Sequence, residues 1–265
     1  MDIWNEVAPR YHKKWIKPKA APFNCTSEML HMLNIRRGDY VLDVACGTGS
    51  AITELMKLVG THGCVVGVDM SWAALNIARQ GNPALSNLGF VNGDAETVKF
   101  ARVFDAITCQ FGIFFFPDAP AALLNLKKVL KESGRLGIAV HGQDTPYHTC
   151  FIKEVTRYIP DYYKPDMLPL DRYSQIESLY DLVKDAGFAD ITIRDVTYTF
   201  SPGNFTSYWE NYIQYIAEPY RQKIESLSDT ERTSLQESIR YKTIQYIKDD
   251  IIEFPWQVLI LGAIV

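Results

Sequence analysis

The run Val41-Leu42-Asp43-Val44-Ala45-Cys46-Gly47-Thr48-Gly49-Ser50 constrains the fold of this chain more than any other stretch. Its apolar half reads as a buried strand, its glycines as a tight turn, and the residues behind them as the start of a helix. Glycines at 47 and 49 let backbone N–H groups come close to a ligand, and a helix N-terminus behind them favours an anionic group. A second apolar strand, Cys64 to Val68, is followed by Asp69, where a carboxylate can receive two ribose hydroxyls. Strand, glycine turn, helix, strand and acid in that order point to a parallel sheet wound with helices.

The same alternation continues along the chain. Further strands are predicted at Gly89 to Asn92, Phe104 to Gln110, Arg135 to Val140, Asp190 to Phe200 and Trp256 to Val265. Helices are predicted at Ser50 to Leu58, Ser71 to Arg79 and Ala119 to Lys131, with Gly134 suited to the end of the last. Two regions fall outside this pattern: an aromatic and basic N-terminal segment, residues 1–36, and a helical insertion at about 201–253 within the remaining domain, 37–265. Two readings stand for them: they cover the carboxyl ends of the strands, where ligands sit in doubly wound folds, or they only complete the core. With 265 residues, 47% hydrophobic and 22% charged, the chain has material for one domain with such an insertion.

A net charge of −4 provides no general attraction to phosphate backbones, so nucleic acid is not an expected partner. Cys25, Cys46, Cys64, Cys109 and Cys150 are odd in number and scattered, which suggests neither a disulfide framework nor a zinc site, and no metal is expected. No segment has the apolar length of a membrane span or the pattern of a signal peptide, and a cytoplasmic location is expected.

The glycine turn alone would also suit a dinucleotide. That fingerprint needs a third glycine, however, and this chain has Ile52 there. Asp43 adds a carboxylate just before the turn, where a pyrophosphate would be repelled. A cofactor carrying a carboxylate, an ammonium and a sulfonium matches these mixed charges better. Phe90-Val91-Asn92-Gly93-Asp94-Ala95-Glu96 then ends the third strand in an acidic loop, placed to accept from an adenine amino group; alone, Asp94 would as readily be a turn residue.

These motifs, with Gln110-Phe111-Gly112-Ile113-Phe114-Phe115-Phe116-Pro117-Asp118 and Leu126 to Leu136, resemble those of the class I S-adenosylmethionine-dependent methyltransferases. Within that class, the chain resembles the type 11 or ubiquinone/menaquinone C-methyltransferase-like group over roughly residues 38–142. The resemblance implies an α/β, Rossmann-like, doubly wound fold: a mostly parallel seven-stranded sheet with an antiparallel last strand and a helical cap. It implies S-adenosyl-L-methionine as cofactor and S-adenosyl-L-homocysteine as product. It also implies that Asp43, Ala45, Gly47 and Gly49 surround the methionine part, Asp69 and Met70 the ribose and adenine, Asp94 and Ala95 the adenine, and that Gln110 and Phe111 lie near the transferred methyl. The motif that DNA methyltransferases of this fold use to hold a flipped base is absent after the fourth strand. Two other readings stand beside this one, a nicotinamide-dependent oxidoreductase and a cofactor-binding protein without turnover.

Methyl transfer is a direct displacement that gains from alignment and exclusion of water, and a hydroxyl or carbon acid also has to lose a proton. Tyr11 and Trp15 in the N-terminal segment, Phe114 after the fourth strand, and Tyr208, Trp209 and Tyr212 in the insertion are candidates to line an acceptor pocket. So many aromatics point to a flat or apolar small-molecule acceptor. Core packing is the more common fate of such a stripe. His141 closes the fifth strand at the edge where acceptors bind and is the candidate general base, with His148 next.

Overall fold

The structure is a computed structural model that describes residues 2–16, 21–82, 85–101, 103–143, 145–162, 171–216 and 218–265. Residues 1 and 17–20 of the expected N-terminal segment and residue 217 of the expected insertion lie outside these.

Strand β1 (Tyr40–Val44) is buried at every residue after Tyr40, the pattern of a strand covered on both faces. It pairs in parallel with β2 (Cys64–Asp69) on one side and β4 (Phe104–Gln110) on the other. Strands β3 (Leu88–Asn92) and β5 (Leu130–His141) extend the parallel sheet outward. Strand β8 (Ile251–Ile264) then runs antiparallel between β5 and β6 (Ala189–Gly203). The order is β3-β2-β1-β4-β5-β8-β6, with the two-residue β7 (Ile247–Lys248) against β8. The fold is therefore the mostly parallel α/β sheet the motifs imply, with its last strand antiparallel.

Helix α2 (Cys25–Met32) packs on β5 and β8, α3 (Ile52–Val59) follows the glycine turn, α4 (Trp72–Gly81) follows β2, and α7 (Ile176–Asp185) packs on β6. The Ser71 side chain caps α4 by accepting from Ala74 N, and Asp118 does the same for α5 (Ala119–Lys127) from Ala121 N. Helix α5 stops four residues before the expected Lys131, and the chain is already in β5 at Leu130. The cause lies in β4: Phe104 N donates to Val129 O at 2.7 Å, which draws this stretch into the sheet. Gly134 sits in the resulting register shift, after Ser133 at φ 63°, and ends no helix.

Strands β6 and β8 run further than expected, past Phe200 and from before Trp256. Pro255 argues against a strand, yet β5 ends at His141 opposite Val258, so at Pro255 only β6 is paired and one side has no ladder to lose. Helices α8 (Phe205–Tyr215), α9 (Glu218–Glu225) and α10 (Asp229–Thr243) connect the two strands. Helix α6 (Pro146–Tyr158) follows β5, and α10 packs against it. At the N-terminus, α1 (Asp2–Tyr11) lies on α4, and the turn His12–Ile16 continues it. Asn5 Oδ1 accepts from Ser71 Oγ at 2.9 Å and Ala73 N at 3.2 Å. Among the described residues no helix is long and apolar enough to cross a membrane.

Candidate active site

Strain gathers where β1 and β4 end. Ala45 and Phe111 take φ of 52° and 54°, and Gly47 and Gly49 take 54° and 92°. Left-handed backbone at non-glycine residues is held only where surrounding structure demands it. The demand is close approach: a Cβ on Gly112 would fall 2.5 Å from Ala45 Cβ, so β4 comes up directly beneath the turn. A Cβ on Gly47 would meet no protein atom within 4 Å, because this residue faces a cavity of about 590 Å³. Ala45, Gly47, Asp69, Met70, Asp94 and Ala95 line one side of it. Gly49 does not. Its bare Cα instead faces α4, where an added Cβ would come 3.5 Å from Ala78 Cβ.

Asp69 Oδ2 accepts from Gly47 N at 2.8 Å and Oδ1 from Ser71 N at 2.7 Å. Burial raises its pKa against these two bonds, so the carboxylate fixes the turn at an electrostatic cost and keeps lone pairs for a ligand. Asp94 Oδ1 accepts from Glu96 N at 2.9 Å, which makes it a turn residue that also borders the cavity. Gln110 lies at the cavity floor, where its amide donates to Thr26 Oγ1 at 2.8 Å.

Asp43 departs from expectation. It lies behind the turn, 2% exposed and outside the cavity wall, where Thr108 Oγ1 donates to its Oδ1 at 2.7 Å. Parallel strands are buried on both faces, so no alternation turns this side chain outward. Burial pushes its carboxyl up to about 7, opposed by Thr108 and reinforced by the charge of Asp69. A pKa raised on folding contributes stability that is fully present below the unfolded value and lost as pH rises through the folded one. The protein should therefore lose roughly 1 kcal/mol per pH unit between about pH 4 and 7 from this group. Asp43→Asn is expected to flatten that slope in thermal melts; an unchanged slope would mean another group carries it.

The other side of the cavity is aromatic. Tyr11, Trp15, Phe111, Phe114 and Tyr212 line it, together with Tyr147 and Trp256. Tyr208 and Trp209 do not reach it. Tyr208 is fully buried, donating to Tyr147 O at 2.6 Å, and Trp209 packs on Phe151 with ring centroids 5.7 Å apart. Both fasten α8 to α6, while one helical turn further on Tyr212 and Tyr215 face the space.

His141 and His148 both open onto the cavity, with ring centroids 6.2 Å apart. Trp256 Nε1 donates to His141 Nδ1 at 3.0 Å. An indole N–H only donates, so the His141 proton sits on Nε2. Burial against Phe111, Phe114 and Trp256 pushes the pKa of this imidazole down to about 3. A ring so held is a neutral hydrogen-bond donor, and the general-base role expected of it does not suit this geometry. His148 Nδ1 lies 3.2 Å from Tyr212 OH, and burial likewise holds its pKa well below the ordinary value.

Three residues that shape the site carry little sequence signal. Thr48 Oγ1 is 2.9 Å from His12 Nδ1, tying the N-terminal turn to the glycine turn. Trp256 begins an apolar run that reads simply as a strand. Lys14, in the aromatic and basic N-terminal segment, is not among the candidates read from the sequence, yet it lines the cavity.

A fold of this order, with a glycine turn, two acidic loops and an aromatic chamber in one cavity, defines a class I methyltransferase. The methyltransferase-domain family model matches residues 35–187, more than half of the chain, and the chain belongs to that family of S-adenosylmethionine-dependent enzymes. It is 29% identical to the demethylmenaquinone methyltransferase of Staphylococcus saprophyticus over 206 residues, 73% of this chain and 84% of that protein. Among solved structures, phosphoethanolamine N-methyltransferase 2 of Haemonchus contortus, in complex with S-adenosyl-L-methionine, superposes with a TM-score of 0.53. It shares 19% identity over 91% of this chain and 52% of that one. A SAM-dependent methyltransferase from Aquifex aeolicus gives a TM-score of 0.51 at 22% identity, covering 68% of this chain and 89% of its own.

Proposed function

We propose that this methyltransferase acts on a flat, largely apolar small molecule bearing a ring oxygen, in keeping with the demethylmenaquinone that its relatives are named for. The observation that carries this reading is the division of one cavity into two chemistries. Around the glycine turn it offers open space at Gly47 and the carboxylates of Asp69 and Asp94; beyond Phe111 it offers aromatic walls. Bound there, S-adenosylmethionine supplies a methyl carbon made electrophilic by its sulfonium. The residues present fit that cofactor, since Gly47 leaves room for it and Asp69 and Asp94 can accept from ribose hydroxyls and an adenine amine.

The protein's own contribution is binding, orientation and dryness. Phe111 stacks on His141, with centroids 4.5 Å apart and planes 13° from parallel, so the two rings form a rigid floor at the junction of the two halves. Trp15, Tyr147 and Trp256 exclude water from the acceptor half. His141 Nε2–H is free to donate to an acceptor oxygen, orienting the ring and stabilising negative charge as it develops.

A screen with methyl-labelled cofactor tests this reading. Transfer to naphthols and naphthoquinols, and none to small alkyl amines, is expected; the reverse preference would overturn it. His141→Phe should lower turnover about 10- to 100-fold, the value of a hydrogen bond to a developing charge, with adenosylhomocysteine affinity unchanged. A role as base would instead remove the rising limb of the pH–rate profile in His141→Asn.

A further inference from the structure

Lys14 places its side-chain amine in the acceptor half of the cavity, with no acid beside it among the described residues. Its Nζ donates to Tyr147 OH and, at 3.4 Å, to the Asn211 carbonyl. It also lies 4.7, 5.1 and 4.6 Å from the ring centroids of Trp15, Tyr147 and Tyr215. Among the described residues no carboxylate pairs with it. The groups facing it are Tyr147 and His148 from α6 and Tyr215 with the Asn211 carbonyl from α8. Burial keeps Tyr147 as the neutral phenol and His148 as the neutral imidazole, so neither supplies a counter-charge. Aromatic faces offset part of the cost of an ammonium held this way, and an anion would offset more.

We propose that Lys14 takes the proton of an acceptor ring hydroxyl and then holds the resulting oxyanion, so that the acceptor is a phenol or hydroquinone bound as its anion. This rests on the aromatic-acceptor reading above. Burial alone brings the Lys14 amine to about 7, the range in which a general base is most effective near neutral pH. Among the described groups facing the acceptor half, His141 donates through Nε2 and His148 is held a weaker base, which leaves Lys14 to receive the proton.

The step balances. The acceptor O–H bond breaks, its proton moving to the Lys14 amine. The electron pair released forms a bond to the methyl carbon, from the oxygen or, through the conjugated ring, from a ring carbon. The methyl–sulfur bond breaks as it forms, its pair staying on sulfur. In the carbon case the ring C–H proton is then lost and the oxygen regains one. Either way one methyl is transferred and one proton released. Tyr147 suits both states of the lysine, accepting from the ammonium and donating to the amine.

The test uses the full chain with adenosylhomocysteine bound and 2-naphthol as probe, since naphtholate absorbs at longer wavelength than neutral naphthol. At pH 8 the parent should show the naphtholate band. Lys14→Met should bind adenosylhomocysteine as the parent does, show only the neutral band, and lose methyl transfer by about 10²- to 10⁴-fold. Lys14→Arg should keep the naphtholate band but lose the rise in rate through about pH 7, because a guanidinium holds an anion without accepting a proton. Equal naphtholate in parent and Lys14→Met, or neutral naphthol in the parent, overturns the role of Lys14 and leaves the acceptor class standing. A parent that binds adenosylhomocysteine but no 2-naphthol overturns the acceptor class as well. Should Lys14→Met fail to bind adenosylhomocysteine, Lys14→Arg decides: a pH–rate profile matching the parent's overturns the proposal.

Discussion

Replacing Trp256 with Ala is expected to cost about 3–5 kcal/mol of stability, the range for emptying a large aromatic site in a core. The indole is 1% exposed and lies between Trp15, Tyr147, Phe200 and His141, with ring centroids 5.4, 5.5, 5.5 and 5.5 Å away. These neighbours come from four separate parts of the chain, so a cavity there cannot be closed by moving one element. Denaturant titration would measure the loss, and a value under about 1 kcal/mol would mean the cluster collapses more freely than its packing implies. Trp256→Phe is the more informative partner. It keeps most of the apolar volume but removes the N–H that fixes His141. Nδ1 is then free to hold the proton, and turnover should fall about tenfold while the fold survives. Nitrogen NMR of the histidines would show the Nε2–H form in the parent and a mixture in the variant; an unchanged tautomer would remove the basis for the His141 role.

Asp69→Ala is expected to weaken adenosylhomocysteine binding by about 1–3 kcal/mol, roughly 10- to 100-fold, together with a loss of stability. The two effects share an origin. The carboxylate accepts from Gly47 N and Ser71 N, so its removal orphans two backbone donors and loosens the turn that faces the ligand. Relief of a buried charge offsets part of the stability cost, because burial already raises the Asp69 pKa. Asp69→Asn should fall between parent and Ala, since its NH₂ cannot accept from the second N–H. Calorimetry with adenosylhomocysteine and thermal melts separate the two effects. Affinity equal to the parent's would show that Asp69 holds the turn without touching the ligand.

What could be read from the chain alone was what is local. The strand, glycine turn and helix of residues 41–59 are contiguous, and each residue type there has a direct backbone reason. The starts of α4 and α5, read at Ser71 and Ala119, are local in the same way, since Ser71 and Asp118 cap them. Where a residue's role depends on a distant partner, the linear pattern misleads. Asp43 looks like a ligand contact beside the glycines, but Thr108, far along the chain, claims it. Tyr208 and Tyr212 lie on one helical stripe, yet the docking of α8 on α6 buries the first and opens the second. His141 stands where a base was expected, and only Trp256, across the antiparallel pairing of β5 with β8, shows which of its nitrogens carries the proton. Lys14 is not singled out in the sequence, although Tyr11 and Trp15 beside it are read as pocket aromatics, because only the docking of α6 and α8 brings Tyr147 and Tyr215 around its amine.

The turn His12–Ile16 touches both halves of the cavity within two residues, His12 at Thr48 of the glycine turn and Lys14 at Tyr147 of the acceptor chamber. Its conformation is thus a single variable shared by two ligands. A cofactor that ordered this turn would meet the entropy cost that the acceptor otherwise faces, and the second ligand would bind more tightly for it. Linkage makes that gain symmetric: whatever factor the cofactor adds to acceptor affinity, the acceptor returns to the cofactor.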